Sequence, residues 1–257
     1  MSRGWPLARL LVSVALAAGV AGCAADLASS QRRLEPHYRS QRPQGPGPFP
    51  AVMLVPGCGG ISPARTQTAE RLAGHGYVVV FVDYLASRGL QVACGRVRPE
   101  EVADDIRAVS SHLRSLPDVT GVGVVGWSLG GAGVLASLVE RPRGPRPLVD
   151  AAAAFYPPCE SLSAWKSQVP ARVFLAGLDD VAPPGPCQDL ARSAGPSALI
   201  EVRTYPAARH SFDVTDLPAV APSRQFPGRT QGYHAEAARE AWGEVIALFD
   251  REVKRAK

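Results

Sequence analysis

Short apolar runs alternate with longer stretches that carry apolar residues at helical spacing, from residue 51 to the end of the chain. The apolar runs are rich in valine and alanine and are bounded by turn-forming residues, a pattern that predicts buried β-strands. They cover residues 51–55, 77–83, 122–126, 151–156, 172–176 and 199–205. Because most of these runs are apolar throughout rather than alternately apolar and polar, we expect both faces of the sheet to be covered.

The stretches between these runs predict five helices. In the second helix, apolar residues recur from Val102 to Leu113 at the spacing of one helical face. Ser62 and Pro63 supply a cap and a first turn for the first helix. The predicted helices cover residues 63–75, 99–116, 129–140, 188–193 and 233–257. Strands that alternate with helices predict a mostly parallel, doubly wound α/β sheet, and ligands bind such sheets at the carboxyl ends of the strands.

The chain length allows one domain with a sizeable core. Of the 257 residues, roughly 210 follow the N-terminal region, and we expect the domain to cover residues 49–257. Prolines and glycines before it predict a flexible tether over residues 23–48. The formal charge of +5 is modest and no basic stripe interleaved with aromatics is present, so nucleic acid is not an expected partner. The pattern leaves the oligomeric state open.

The N-terminus has the layout of an export signal. Arg3 and Arg9 precede the apolar residues 10–20, which are too few to span a membrane. The stretch ends in Val-Ala-Gly-Cys, which resembles the bacterial lipobox, in which the cysteine is lipidated and becomes the new N-terminus. We therefore expect residues 1–22 to be a lipoprotein signal peptide and Cys23 to anchor the exported protein to a bacterial membrane. An ordinary signal peptide cut nearby is the alternative.

Export would place the four remaining cysteines in an oxidising compartment, where disulfides form. Four cysteines allow three pairings. Each cysteine lies near the end of a predicted strand, and the favoured pairing joins those whose strands can be neighbours. The favoured pairs are Cys58 with Cys94 and Cys159 with Cys187. No cysteine or histidine lies at ligand spacing from another, so a metal site is not expected.

One junction between a predicted strand and a predicted helix carries a motif with chemical meaning. Gly126-Trp127-Ser128-Leu129-Gly130 matches G-x-S-x-G in the strand-to-helix context that the motif requires. In such a turn the serine backbone is strained, and the flanking positions must be small to avoid collisions. The helix N-terminus favours negative charge beside the serine. Ser128 is therefore predicted to be a nucleophile; the alternative is a turn with an incidental serine.

A serine nucleophile needs a base, and His210 is the histidine best placed to serve. Of the five histidines, it alone follows a late strand, where a loop can carry it over the serine. Asp179 and Asp180 follow the preceding strand and offer a carboxylate to orient the imidazole. The order serine, aspartate, histidine is that of α/β-hydrolases, and the residues alone leave open which aspartate serves.

Six segments occur in order between residue 51 and the C-terminal helix: LVPGCGGIS, DYLASRGLQVAC, GWSLGG, YPPC, DDVAPPGPC and ARHSFD. Together they resemble the dienelactone hydrolase family of the α/β-hydrolase superfamily, and within it an exported branch with a serine nucleophile. The resemblance implies an acid four residues before a proline, which favours Asp179, before Pro183. Asp180 stands in the same relation to Pro184, so both aspartates remain candidates.

The resemblance also implies an oxyanion hole formed by the backbone N–H groups of Cys58 and Leu129. The family's namesakes carry a cysteine at the nucleophile position, whereas this chain has Ser128, which points away from dienelactone itself as the substrate. Arg88 is a candidate for binding a substrate carboxylate, with a structural arginine as the alternative. Trp127 is a candidate lining residue of the acyl pocket, with simple packing as the alternative.

These residues predict an exported serine hydrolase that cleaves carboxylic esters or lactones through a Ser-His-Asp triad and an acyl-enzyme. We expect no metal and no organic cofactor. The proline-rich residues 211–232 are expected to form a rim above the site. The alternatives are a peptidase, an acyltransferase or a polyester hydrolase on the same triad. An envelope lipoprotein without catalysis is the alternative from a different class.

Overall fold

The computed structural model describes residues 28–139, 147–162 and 164–255. The predicted signal peptide and Cys23 lie outside the described residues, as do Glu140 and the last two residues of the chain, which we placed at helix ends. Among the described residues, no helix combines the length and the apolar character needed to cross a membrane.

Seven strands form one sheet in the order β1-β3-β2-β4-β5-β6-β7, and two further strands pair as a small hairpin. The strands are β1 (Arg39–Gln41), β2 (Phe49–Val55), β3 (Val78–Phe81), β4 (Val119–Trp127), β5 (Ala151–Phe155), β6 (Ala171–Ala176), β7 (Ile200–Tyr205), β8 (Ala221–Pro222) and β9 (Thr230–Gln231). Every neighbouring pair in the large sheet is parallel except β1 with β3. The predicted mostly parallel α/β sheet is therefore confirmed.

Helices cover both faces of this sheet. They are α1 (Pro63–Gly74), α2 (Pro99–Ser115), α3 (Leu129–Leu138), α4 (Gly185–Ala194) and α5 (Ala235–Glu252). Helices α1 and α5 pack on one face, and α2, α3 and α4 pack on the other. Within β2, Met53 belongs to one core cluster while its neighbours Val52 and Leu54 belong to the other. This two-sided burial explains why the inner strands are almost continuously apolar in the sequence.

The N-terminal boundary of the folded unit differs from the prediction. Residues 28–41 were expected to belong to a flexible tether, but Leu34 is fully buried and β1 pairs with β3 at the edge of the sheet. The side chain of Arg33 also donates to the buried Asp105 of α2. The tether prediction is therefore wrong for these residues. Strand β1 carries no apolar pattern, because Arg39 and Ser40 are exposed and Gln41 is only half-buried.

Two disulfides, the pairs favoured from the sequence, are present. Cys58 follows β2 and bonds to Cys94 in the loop after the neighbouring strand β3, with their Cα atoms 4.9 Å apart. Cys159 follows β5 and bonds to Cys187, at the start of α4 after the neighbouring strand β6, with 5.1 Å between Cα atoms. Both bonds therefore link loops at the carboxyl ends of adjacent strands.

Removing the second disulfide is expected to destabilise the protein. Cys159 and Cys187 are 28 residues apart, and closing a loop of that size in the unfolded chain is worth about 3–4 kcal/mol in the chain-entropy model. Cys159→Ser should therefore lower the melting temperature by roughly 10 °C in oxidising buffer. Calorimetry with and without reductant measures the effect. Under full reduction the variant and the wild type should melt together, and equal melting in oxidising buffer would contradict the expectation.

Candidate active site

Ser128 occupies a strained turn between the central strand β4 and helix α3. Its φ of 50° lies in the left-handed region, and a non-glycine residue adopts that region at a cost in energy. The turn is tight: a Cβ at Gly130 would lie 2.3 Å from the carbonyl oxygens of Val55 and Pro56, and one at Gly126 would lie 2.5 Å from the oxygen of Gly130. Only glycine fits at these two positions, as the motif requires.

The two predicted oxyanion donors lie on either side of this serine. Leu129 is the first residue of α3, so its N–H belongs to the helix N-terminus, where backbone amides favour negative charge. On the other side, the loop after β2 comes so close that a Cβ on Gly57 would be 3.3 Å from the Cβ of Ser128. Gly57, Cys58 and Ser128 line the same cavity. The structure thus brings Cys58 and Leu129 close to Ser128, and their role as oxyanion donors stays a prediction.

His210 and Asp179 are hydrogen-bonded, with 2.7 Å between Nδ1 and Oδ2. The carboxylate of Asp179 is itself fixed, because its Oδ1 accepts hydrogen bonds from the backbone N–H groups of Val181 and Ala182 at 2.9 and 2.8 Å. Its side chain is fully buried. A proton held on Nδ1 by this carboxylate leaves Nε2 free to accept one. This is the geometry expected of a carboxylate that orients a general base, and the catalytic roles of the two residues stay a prediction.

Asp180 has a different partner. Its carboxylate accepts hydrogen bonds from the backbone N–H and the hydroxyl of Thr230, at 2.9 and 3.1 Å, at the start of β9. The backbone N–H of Thr230 lowers the pKa of Asp180 below its ordinary value. Asp180 therefore holds the loop before β9, and only Asp179 contacts His210 among these two aspartates. The geometry favours Asp179 in the orienting role.

Ser128 and His210 line one cavity of about 160 Å³ at the carboxyl ends of the strands. The segment 211–232, expected to form a rim, does supply much of the lining. It contributes the apolar residues Val214, Leu217 and Phe226 and the polar residues Asp216, Arg224 and Gln225. The small β8–β9 hairpin within this segment carries part of the rim, and Gln231 of β9 donates to the carbonyl of Pro222 in β8.

Arg88 does not belong to this cavity, and its predicted role as a substrate ligand is wrong. Its guanidinium donates to the buried carboxylate of Asp105 and, at 3.0 Å, to the carbonyl of Tyr84. The physical reason is that a buried carboxylate in α2 requires cationic partners, which the sequence alone does not show. Arg88 thus ties down its own loop, which was the alternative interpretation.

Trp127 both lines the cavity and packs in the core, the two roles that were proposed for it. It lines the cavity, yet only 1% of its surface is exposed, and its ring stacks on Phe155 with centroids 6.1 Å apart. Its indole Nε1–H donates to the carboxylate of Asp213 at 2.8 Å. The tryptophan is therefore a packed residue with one edge at the cavity and a polar tie beneath it.

A buried network at the wall of the cavity was not predicted from the sequence, and its members Arg65, Trp127 and Tyr156 line the cavity. Arg65 donates to both oxygens of Asp213, at 2.6 and 3.2 Å, and to the hydroxyl of Tyr156 at 2.7 Å. Tyr156 in turn donates to Asp213 at 2.6 Å. We call these residues, with Trp127, the Asp213 network. The available signal was the aspartate of ARHSFD, three residues after His210.

Burial and charge set the protonation states within the Asp213 network. Burial opposes ionisation of Asp213, but the adjacent Arg65 charge and three side-chain partners hold the pKa of Asp213 below its ordinary value. Burial raises the pKa of Tyr156 well above its ordinary value, with Arg65 opposing and Asp213 adding to the rise. At neutral pH the network is therefore an ion pair with a neutral tyrosine.

A protein metal site requires several ligating side chains that lie close together. In the parts of the chain that the structure describes, no group of three or more histidine, cysteine, aspartate or glutamate side chains is arranged to hold a metal ion.

The chain is similar in sequence to a known family and to several known proteins. The model of the dienelactone hydrolase family matches residues 38–253. Cutinase 2 of Thermobifida cellulosilytica is 33% identical over 139 residues, which cover 52% of this chain and 50% of the cutinase. The chain thus spans about half the length of the cutinases it matches. A putative carboxymethylenebutenolidase of Synechocystis is 24% identical over 242 residues, covering 82% of this chain and 90% of that protein.

The chain also has the same fold as several proteins of known structure. A putative dienelactone hydrolase from Klebsiella pneumoniae superposes with a TM-score of 0.65 at 20% identity, covering 83% of this chain and 92% of the other. A dienelactone hydrolase-like promiscuous phosphotriesterase, P91, from metagenomic libraries gives a TM-score of 0.61 at 20% identity, covering 84% and 98%. At this identity the likeness establishes the fold, which is that of the α/β-hydrolases.

Proposed function

The chain belongs to the dienelactone hydrolase family, and on that premise we propose that it is an exported serine hydrolase that cleaves carboxylic esters or lactones. One observation carries the proposal. A serine with a strained backbone and an imidazole oriented by a buried carboxylate line the same cavity. The names of the sequence relatives, cutinase and carboxymethylenebutenolidase, are those of ester and lactone hydrolases.

In the first half of the reaction, Ser128 attacks the substrate carbonyl. Nε2 of His210 accepts the serine proton as the new C–O bond forms, and the carboxylate of Asp179 stabilises the imidazolium. The carbonyl oxygen becomes an oxyanion, which the backbone N–H groups of Leu129 and Cys58 stabilise. In characterised enzymes of this kind, one such donor is worth about 3 kcal/mol of the barrier.

The tetrahedral intermediate then collapses and the bond to the leaving alkoxide breaks, which completes the first half of the reaction. His210 returns its proton to that alkoxide, and the acyl group stays on Ser128. In the second half, water attacks the acyl carbon while His210 removes a proton from the water. As the second intermediate collapses, His210 gives that proton to Oγ of Ser128, and the carboxylic acid is released. Every step is an acyl or proton transfer among these residues, the substrate and water.

The cavity supports a short acyl group. Its volume of about 160 Å³ is close to that of an engineered protein cavity of about 150 Å³ that holds one benzene molecule. Its lining mixes apolar rim residues with polar ones, which suits a small ester better than a long alkyl chain. We propose short-chain esters and small lactones as the substrate class.

The cutinase relatives favour hydrolysis of a polyester as a second candidate function. The same three residues would then act on one ester unit of a chain lying across the cavity mouth. Release of soluble acid from polyester particles, compared with turnover of soluble esters, separates the two candidates.

A panel of p-nitrophenyl esters with increasing acyl length, together with simple lactones and p-nitroanilides, tests the proposed function. We expect turnover of short esters and lactones, and stable labelling of the protein by a fluorophosphonate. Preferential cleavage of the anilides would favour a peptidase, and preferential transfer to added alcohols would favour an acyltransferase. If no substrate is turned over and no label is incorporated, the result favours the alternative of an envelope lipoprotein without catalysis.

Export of the protein is supported by its two disulfides, because such bonds persist in oxidising compartments. We propose in addition that Cys23 carries the lipid anchor. Cys23→Ser should abolish incorporation of labelled palmitate and move the protein from the membrane fraction to the soluble fraction. Wild-type protein fractionated in parallel is the control. A variant that still sediments with membranes after removal of its signal peptide would contradict the anchor.

A further inference from the structure

Asp213 is a buried carboxylate that the proposed reaction does not use. Its side chain is fully buried and is not among the residues that line the cavity. Both of its oxygens are engaged: Oδ2 accepts from Trp127 and Arg65 at 2.8 and 2.6 Å, and Oδ1 accepts from Tyr156 and Arg65 at 2.6 and 3.2 Å. One carboxylate thus gathers three donors from distant parts of the chain.

Each donor adjoins a different part of the catalytic machinery. Trp127 immediately precedes Ser128. The ring of Tyr156 lies against the ring of His210, with centroids 4.6 Å apart. The third donor, Arg65, is in the first turn of α1, the helix that follows the loop containing Cys58. Asp213 therefore connects the nucleophile turn, the base and the oxyanion loop through one group.

The backbone around these residues is strained. In the described part of the chain, the non-glycine residues with positive φ are Ser128 at 50°, Tyr156 at 39° and Ser211 at 63°. Ser128 follows Trp127, Tyr156 is itself in the Asp213 network, and Ser211 follows His210. Such conformations persist where the surrounding structure fixes them. Asp213 accepts a hydrogen bond from Tyr156 and from Trp127, the residue before Ser128, and it lies two residues after Ser211.

We propose that Asp213 is a positioning residue, which holds Ser128, His210 and the loop of Cys58 in their productive arrangement. The inference rests on the proposed hydrolase function. It assigns Asp213 an effect on the rate of the chemical step rather than on substrate binding. Because the Arg65 charge keeps the pKa of Asp213 low despite burial, the group is present as a carboxylate that can accept from all three donors at once.

Asp105 provides a matched control within the same chain. The side chain of Asp105 in α2 is also fully buried, and it also accepts from two arginines, Arg33 and Arg88. Neither Asp105 nor its arginines line the cavity. If buried carboxylates matter here only for stability, Asp105 and Asp213 should behave alike.

The test compares Asp213→Asn with Asp105→Asn, using short p-nitrophenyl esters well below the melting temperature of each variant. Active sites are counted by fluorophosphonate titration, so that kcat refers to folded, labelled protein. Both variants should melt at a lower temperature than the wild type. We expect Asp213→Asn to lower kcat by about 10- to 100-fold with little change in KM, since small misplacement of catalytic groups has effects of that size. Asp105→Asn should keep the wild-type kcat.

Tyr156→Phe makes the test independent of whether Asp213→Asn folds. This substitution removes one donor to Asp213. It keeps the aromatic ring beside His210 and the ion pair between Asp213 and Arg65. A fall in its kcat at unchanged KM supports the inference. A wild-type kcat per titrated site in Asp213→Asn, or in Tyr156→Phe when the former does not fold, overturns it. An inactive wild type would instead count against the proposed hydrolase function.

Discussion

Replacing Ser128 with alanine is expected to lower kcat for p-nitrophenyl esters by about 10⁶-fold, the size of effect seen when the nucleophile of a serine hydrolase is removed. The physical reason is that no acyl-enzyme forms, since alanine has no hydroxyl to attack the carbonyl. The fold should be retained, because a methyl group fits where the CH₂OH group stood. Ester turnover and fluorophosphonate labelling measure the two consequences, and both should disappear.

Ser137 supplies a control for that variant. It lies near the other end of α3, where its hydroxyl donates to the carbonyl of Val134 at 2.7 Å. Ser137→Ala should keep both turnover and labelling. Labelling that persists in Ser128→Ala would show that another residue is the reactive nucleophile, and activity that persists there would place catalysis elsewhere on the protein.

Replacing Asp179 with asparagine is expected to lower kcat by about 10⁴-fold, the loss observed when the orienting aspartate of another serine hydrolase is changed in this way. An amide beside Nδ1 of His210 can donate as well as accept, so it favours the tautomer that leaves Nε2 protonated and unable to accept the proton of Ser128. It also removes the charge that stabilises the imidazolium. Substrate binding should change little, because Asp179 does not line the cavity.

Asp180→Asn is the matched control, since it makes the same chemical change one residue away. Asp180 bonds to Thr230 and not to His210, and an asparagine can still accept from the backbone N–H. We expect its kcat to stay within about threefold of the wild type, in line with other surface substitutions. Steady-state kinetics of Asp179→Asn and Asp180→Asn on one ester shows which aspartate the reaction requires. The opposite order of effects would assign the triad acid to Asp180.

The fold was predictable because its signals are local. Apolar runs and helical spacing each extend over a few turns or one strand, so they can be found without knowing which strands are neighbours. The N-terminal edge was not predictable in this way. Leu34 is one apolar residue among polar ones, and its burial depends on a surface that helix α2 and its loop provide only after folding.

The candidate site likewise contains residues that the sequence could reveal and residues that it could not. Ser128 is marked by its flanking glycines, and His210 and Asp179 by their place after late strands. The partners of Asp213 carry no such mark, since Arg65 lies 148 residues away along the chain and Trp127 lies 86 away. Arg88 was misassigned for the same reason: its partner Asp105 sits in an amphipathic helix, where an aspartate ordinarily faces solvent.

The two outer strands of the sheet bear on how the protein behaves at high concentration. Strand β7 ends the sheet, and its outward residues Glu201 and Arg203 form ion pairs with Arg172 and Glu244. At the opposite border, β1 is only three residues long. Short edge strands and charged side chains on edge strands disfavour pairing between the sheets of separate molecules. We therefore expect both edge strands to resist pairing with the sheet of another molecule.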